Sequence, residues 1–197
     1  MLSQFIFNKM LNLEDKGIMS KILLEFFNRT RKIILKFDDP LVNYKIGKYS
    51  FSIPLSHNLP RVLKKYPNYS FNIGRIAKLI GEKYHTLSII DIGANVGDSI
   101  AIIKTEIDCP ILCIEGNEKF FGICKHNSLL FSNVSLEKIY VSNKIEHLKM
   151  KIQEEGGTAH LREDPAGNIH TETLSDILKK ILCFYHLNLV LLQLWDE

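Results

Sequence analysis

Residues 86–99 read Thr86-Leu87-Ser88-Ile89-Ile90-Asp91-Ile92-Gly93-Ala94-Asn95-Val96-Gly97-Asp98-Ser99. Thr86 to Ile90 is a short β-branched apolar run, the length of a strand rather than a helix, and Asp91 closes it before a glycine turn. Gly93 and Gly97 let the backbone turn tightly and approach a ligand where a side chain would collide. Ser99 to Lys104 has helical character, and Pro110 precedes a second strand, Ile111–Ile114. A helix over Lys119–Leu130 leads to a third strand, Val134–Val141. Strand, helix, strand, helix, strand with short connections predicts a parallel sheet flanked by helices, an α/β, Rossmann-like fold.

Outward from this centre the pattern is less regular. Downstream, the polar stretch 143–172 contains Gly156-Gly157 and Pro165-Ala166-Gly167-Asn168 and is expected to carry a hairpin. A helix over Thr173–Leu182 and a fourth strand over Leu187–Leu194 follow. Upstream, an amphipathic helix is expected over residues 20–36, capped by Ser20. A hairpin pairs Val42–Ile46 with Tyr49–Ile53 about Gly47-Lys48, and prolines 54, 60 and 67 break regularity after it. A helix over residues 71–83 is expected to turn Ile73, Ile76, Ala77, Leu79 and Ile80 inward. Residues 1–40 read as a helical extension and 41–197 as the main domain.

The chemistry lies at the strand ends. Backbone N–H groups opening the helix after Gly97 point into the crevice there. Asp91 is placed to accept from donors in the turn or to face a cationic group. Glu115 ends the second strand, 22 residues after Gly93 (115 − 93), where a carboxylate in a nucleotide-binding half-fold meets both ribose hydroxyls. Gly116 and Asn117 follow, leaving space for an adenine ring. A dinucleotide fingerprint wants glycines where Asn95 and Asp98 stand, so NAD and a nicotinamide-dependent oxidoreductase are disfavoured. S-adenosylmethionine has no phosphate and carries a sulfonium, which suits an acidic, less glycine-rich turn.

The run Ile90 to Ser99 resembles the first motif of the FkbM family of S-adenosylmethionine-dependent methyltransferases. Pro54 to Pro60, Ile114-Glu115-Gly116-Asn117 with Phe120-Phe121, Gly157-Thr158-Ala159 and Thr173-Leu174-Ser175-Asp176 extend the resemblance over about residues 42–182. It implies a seven-stranded class I methyltransferase fold and O-methylation of a hydroxyl on a glycan or natural-product acceptor. The expected cofactor-binding set is Asp91, Gly93, Ala94, Asn95, Gly97, Glu115, Gly116, Asn117 and Ser142, the last toward the adenine. The family's Lys-Ile-Asp motif aligns with Gln193-Leu194-Trp195, and a one-residue slide is needed to use Asp196, so no catalytic residue is assigned. The resemblance thus implies a chain truncated at its C-terminus, with a frameshift near residue 183, little activity alone and an apolar sheet edge open to self-association. The alternative is a non-catalytic remnant that binds the cofactor or a full-length partner.

Composition narrows the class. The chain has 197 residues, 46% hydrophobic and 24% charged, as ordinary globular domains are. Its net charge of +3 is uneven: residues 1–86 hold 15 Lys/Arg against 6 Asp/Glu (+9), and residues 87–197 hold 10 against 16 (−6). The basic half reads as solvated helix faces, with a phosphorylated substrate or a membrane surface as the acidic alternative. Cys109, Cys113, Cys124 and Cys183 lack zinc spacing and read as buried or incidental thiols, which with the absence of a signal-peptide pattern fits the cytoplasm. The apolar run Ile181–Trp195 is too short to span a membrane. His57 reads as a capping or packing loop histidine, and the other histidines suggest no metal. Lys64-Lys65 beside Tyr66 does not amount to a nucleic-acid surface, and Glu154-Glu155 reads as exposed.

Overall fold

The computed structural model describes residues 2–13, 17–85, 87–185 and 190–193, without the side chains of Glu155 and 181–193. Thr86, His186, residues 187–189 and 194 of the fourth strand, and Asp196 lie outside the described residues, as does the side chain of Cys183. In chain order the elements are α1 (Leu2–Leu13), α2 (Gly17–Ile34), β1 (Leu41–Ile46), β2 (Tyr49–Pro54), α3 (Leu59–Lys65), α4 (Phe71–Tyr84), β3 (Ile89–Ile92), α5 (Asp98–Glu106), β4 (Ile111–Ile114) and α6 (Glu118–Ser128). The second half comprises β5 (Val134–Glu137), β6 (Tyr140–Ser142), β7 (Glu146–Leu148), β8 (Met150–Glu155), β9 (Thr158–Glu163), β10 (Ile169–Thr173), α7 (Leu174–Tyr185) and β11 (Val190–Gln193).

The central sheet has the order β11-β3-β4-β5, and every pairing is parallel. Successive side chains on a strand point to opposite faces, and here each face meets its own helices. Ile89, Ile111 and Cys113 pack with Ile73 and Ala77 of α4, Ile100 and Ile103 of α5, and Cys124 of α6. Ile90, Leu112 and Ile114 pack on the other face with Ile177 of α7. The chain runs outward from β3 through β4 to β5, then returns to place β11 on β3's free side. Strand order therefore reverses between β3 and β11, and the crevice outside their carboxyl ends is where open α/β sheets bind ligands.

A third cluster joins the N-terminal elements to this body. Phe7 of α1, Val42, Ile46, Phe51 and Ile53 of the hairpin, and Leu59 and Leu63 of α3 bury against Ala101, Ile102, Phe120 and Ile123. Asn127 binds the hairpin as an adjoining strand would. Its Oδ1 accepts from Ser52 N at 2.9 Å, and its Nδ2 donates to Ser52 O and Val96 O, both at 2.9 Å.

Several local expectations need correction. The stretch 134–141 is two strands, because β5 pairs with β4 while β6 leaves the central sheet to pair parallel with β10. The polar segment carries the expected hairpin as β8–β9, with β10 and β7 beside β6 in a separate three-stranded sheet. Helix α1 falls within the expected helical extension, but α3 was not anticipated; it begins at Leu59 with Pro60 in its first turn, where a missing N–H has no intrahelical partner in any case. Ser20 lies inside α2 rather than capping it. In α4, Ile73 and Ala77 turn inward, but Ile76 and Leu79 are exposed, since α5 covers only one stripe of that helix.

Candidate functional site

The turn between β3 and α5 forms the floor of the crevice. Gly93 N and Ala94 N donate to Ile114 O at 2.8 and 3.1 Å, which ties the turn to the end of β4. Gly93 has φ +80° and is exposed, and a Cβ built on it meets nothing within 4 Å. The backbone at the switch point is therefore bare and open. Gly97, at φ +83°, caps α5; a Cβ there would stand 3.0 Å from Ile100 and 3.2 Å from Cys124 Sγ, so this glycine serves packing. Ala94 is buried in the core beneath the turn.

Asn95 is the organising residue. It takes a left-handed conformation at φ +49°, which asparagine tolerates better than most residues. Its N–H donates to Glu115 Oε2 at 2.8 Å, and Glu115 Oε1 accepts from Asn117 N at 2.7 Å. Glu115 is buried at the strand end, and burial raises its pKa while the N–H groups of Asn117, Asn95 and Gly116 pull it back. With about four lone-pair sites, the carboxylate keeps acceptor capacity beyond these N–H groups.

Of the two roles expected of Asp91, the bond to the turn's donors is not made among the described residues. The strand register sets Asp91 beside Cys113 on the sheet face that α5 covers, and its Oδ2 accepts from the Ser99 hydroxyl of α5. Burial, reinforced by the Glu115 charge and opposed by Ser99, pushes its pKa up to about 6. Asn117 is not an open neighbour either: its Oδ1 caps α6 by accepting from Phe120 N at 3.0 Å. The space beside Gly116 is taken by Tyr140, whose ring a Cβ on Gly116 would meet at 2.4 Å. The Tyr140 hydroxyl is buried with no hydrogen-bond partner among the described residues, and burial with the charges of Glu115 and Glu154 pushes its pKa up to about 12. Ser142 lies in β6, its backbone opposite Thr173 and its hydroxyl 3.4 Å from Asn143, in the separate sheet rather than at the turn.

The tertiary structure adds residues that local patterns did not point to. The tip of the β8–β9 hairpin folds over this end of the sheet. Asn95 Nδ2 donates to Gly157 O at 2.8 Å, and Asn58 N donates to Gly156 O at 2.9 Å. His57 caps and packs, as expected of it, and also spans to the turn. Its Nδ1 accepts from Leu59 N at 3.1 Å, so the proton sits on Nε2 and is donated to Asn95 Oδ1 at 3.1 Å. Burial lowers the His57 pKa, keeping the ring neutral, and the ring meets Phe120 edge-on. Glu154 is exposed as expected but not alone: it accepts from Asn117 Nδ2 at 3.0 Å and pairs with Lys119 at 3.2 Å, and Lys119 also pairs with Asp39 at 2.8 Å. The spacing of 37 residues between Asn117 and Glu154 offers no local signal for this contact. The glycine pair 156–157 was the visible trace: both have positive φ, and Cβ atoms there would lie 2.4 Å from Asn58 and 2.5 Å from the His57 ring. Among the described residues, no group of three or more His, Cys, Asp or Glu side chains is arranged to hold a metal, and no helix is long and apolar enough to cross a membrane.

No protein-family model matches the chain, and no curated protein does. Among solved structures it is similar to a protein assigned as a caffeoyl-CoA O-methyltransferase from Staphylococcus aureus, at 20% identity over 40% of this chain and 42% of that one, TM-score 0.31. It is also similar to the plantazolicin methyltransferase BpumL in complex with SAH, at 13% identity over 39% of this chain and 32% of that one, TM-score 0.28. The N-terminal domain of EvdMO1 with SAH bound is similar at 10% identity over 77% of this chain and 84% of that one, TM-score 0.36. The chain thus spans less than half the length of the first two. The α/β assignment stands on its own strand order and register.

Proposed function

We propose that the chain binds S-adenosylmethionine at the β3–β11 switch point and belongs to a methyltransferase acting on a hydroxyl of a glycan or natural product, as its FkbM-like motifs imply. The observation that carries the reading is the open backbone of Gly93 beside a buried Glu115 carboxylate held in place by two backbone N–H groups. The residues present fit such a ligand. Glu115 keeps acceptor capacity for ribose hydroxyls, Asn95 and Gly93 shape the floor, and the Tyr140 hydroxyl, without a partner among the described residues, is a buried donor beside Gly116. Tyr140 also presents an aromatic ring at the place assigned to the adenine, so ring stacking there requires it to shift or to become one face of the stack. Asp91 contributes charge from behind the crevice and ties β3 to α5 through Ser99.

When bound, the cofactor supplies an electrophilic methyl group on a sulfonium. The part of the chain is to orient: most acceleration in an in-line displacement comes from holding acceptor oxygen and methyl in register. The hairpin tip at Gly156-Gly157, latched by His57, Asn58 and Asn95, is placed to exclude water from that end of the sheet. Titration calorimetry with S-adenosylmethionine and with NAD tests the reading. Binding of the former alone is expected, and Glu115→Ala is expected to weaken it at least about tenfold, the scale of one charge-assisted bond. Affinity unchanged in Glu115→Ala, or preference for NAD, overturns the site. Binding without transfer of labelled methyl to any hydroxyl acceptor would identify a non-catalytic cofactor-binding protein instead.

A further inference from the structure

The α1–α2 hairpin packs on the body through one side only. The half-buried positions of α2 include Leu24, Phe27, Asn28, Arg31 and Ile34, which share the side toward the body. The outer side carries Ile18, Met19, Ile22, Leu23, Phe26 and Ile33, all exposed, Ile18 at 80% and Phe26 at 61%. At 100° per residue these six fall in one sector about 140° wide. Phe5 of α1, itself exposed, continues the patch: its ring meets Phe27 at 6.2 Å, and Phe27 meets Phe26 at 5.5 Å. Phe37 stands 86% exposed just beyond the helix. Scattered exposed apolar side chains are normal, but a contiguous patch of this kind marks a contact surface.

Charge says what covers it. Lys21 and Lys32 line one flank of the sector, Arg29 falls within it near that edge, and Lys36 follows the helix. Glu25 is the acidic residue among them and is paired with Arg29 at 3.2 Å. A two-fold contact between copies would bring these basic flanks near one another as the apolar faces met, which opposes self-association. A surface that is apolar beneath and anionic above satisfies both features. We propose that this face of α1–α2 lies on an anionic lipid bilayer, with Ile18, Ile22 and Phe26 inserted at the headgroup boundary and Lys21, Arg29, Lys32 and Lys36 against lipid phosphates. Helix α2, about 27 Å long, lies in the plane of the surface rather than across it.

Vesicle flotation of the full chain in about 0.1 M salt tests this, using phosphatidylcholine alone and phosphatidylcholine mixed with phosphatidylglycerol. Partition into the anionic vesicles is expected to be at least about tenfold stronger and to weaken with salt. Ile22→Ser with Phe26→Ser is expected to abolish it. Lys21→Glu with Lys32→Glu is expected to remove the anionic preference, at about fivefold per basic residue lost. These side chains are exposed, so circular dichroism and melting temperature should be unchanged. No partition into anionic vesicles, or partition unaffected by the serine pair, overturns the proposal. So does a lipid-free dimer in sedimentation velocity that the serine pair dissolves while vesicles bind nothing, which would assign the face to a second copy.

Discussion

Asp91→Asn is expected to stabilise the ligand-free protein at pH 8, although it removes a charged group from the proposed site. The carboxylate is buried at the end of β3, accepts from Ser99 and feels Glu115, and its pKa rises from 3.8 to about 6. The sign follows from proton binding. Between those two values the folded chain holds a proton there that the unfolded chain has lost, so stability falls as pH rises through that window. Above about pH 6 the penalty is complete. Raising a carboxyl from 3.8 to about 6 costs about 3 kcal/mol at 1.36 kcal/mol per pKa unit. Asparagine keeps the shape without the charge, and the Ser99 hydroxyl can turn to accept from its amide. Urea denaturation from pH 4 to 8 reads the result as the difference between the two proteins. The variant is expected to gain up to about 3 kcal/mol at pH 8, with the difference shrinking toward pH 4. A variant less stable than the parent at pH 8, with a difference that does not vary with pH, would refute the reasoning and show that the Ser99 bond outweighs burial. A gain in stability joined to weaker S-adenosylmethionine binding is the pattern expected of a residue kept charged for function.

Asn127→Leu strands Ser52 N, Ser52 O and Val96 O beneath the β1–β2 hairpin; a loss of about 3 kcal/mol or more is expected in urea denaturation, with the hairpin amides exchanging first by hydrogen-exchange mass spectrometry. Gly157→Ala puts a Cβ 2.5 Å from the His57 ring at φ +99°, so the hairpin tip should lift and segment 150–163 lose exchange protection while the central sheet keeps its own. His57 should appear by nitrogen NMR as the neutral Nε2–H tautomer at pH 7. Because burial lowers its pKa below the ordinary 6.5, its contribution to stability is full above that pH and is lost as pH falls through the folded value. His57→Gln should flatten that acid limb, and an unchanged limb would place the titration elsewhere.

Residues 86–117 carried most of the fold in one dimension. The strand–turn–helix run at Ile89 to Ser99, the second strand at Ile111–Ile114 and the carboxylate at its end were all legible, because a buried parallel strand must be a short apolar run and a tight turn must carry glycine. The same local rules could not reach contacts between distant segments. Nothing near Tyr140 says that its ring stands over Gly116, and nothing near Glu154 says that it meets Asn117 and Lys119. Those placements follow from how β6 leaves the central sheet and how the β8–β9 hairpin folds back, which depend on pairing partners chosen elsewhere in the chain. The stretch 20–36 is amphipathic by sequence, yet only the packing shows which stripe of α2 faces the body and which faces away. The turn and the carboxylate were determined by local chemistry; what surrounds, covers and charges them was decided by the tertiary structure, since burial belongs to the assembled chain and not to any segment of it.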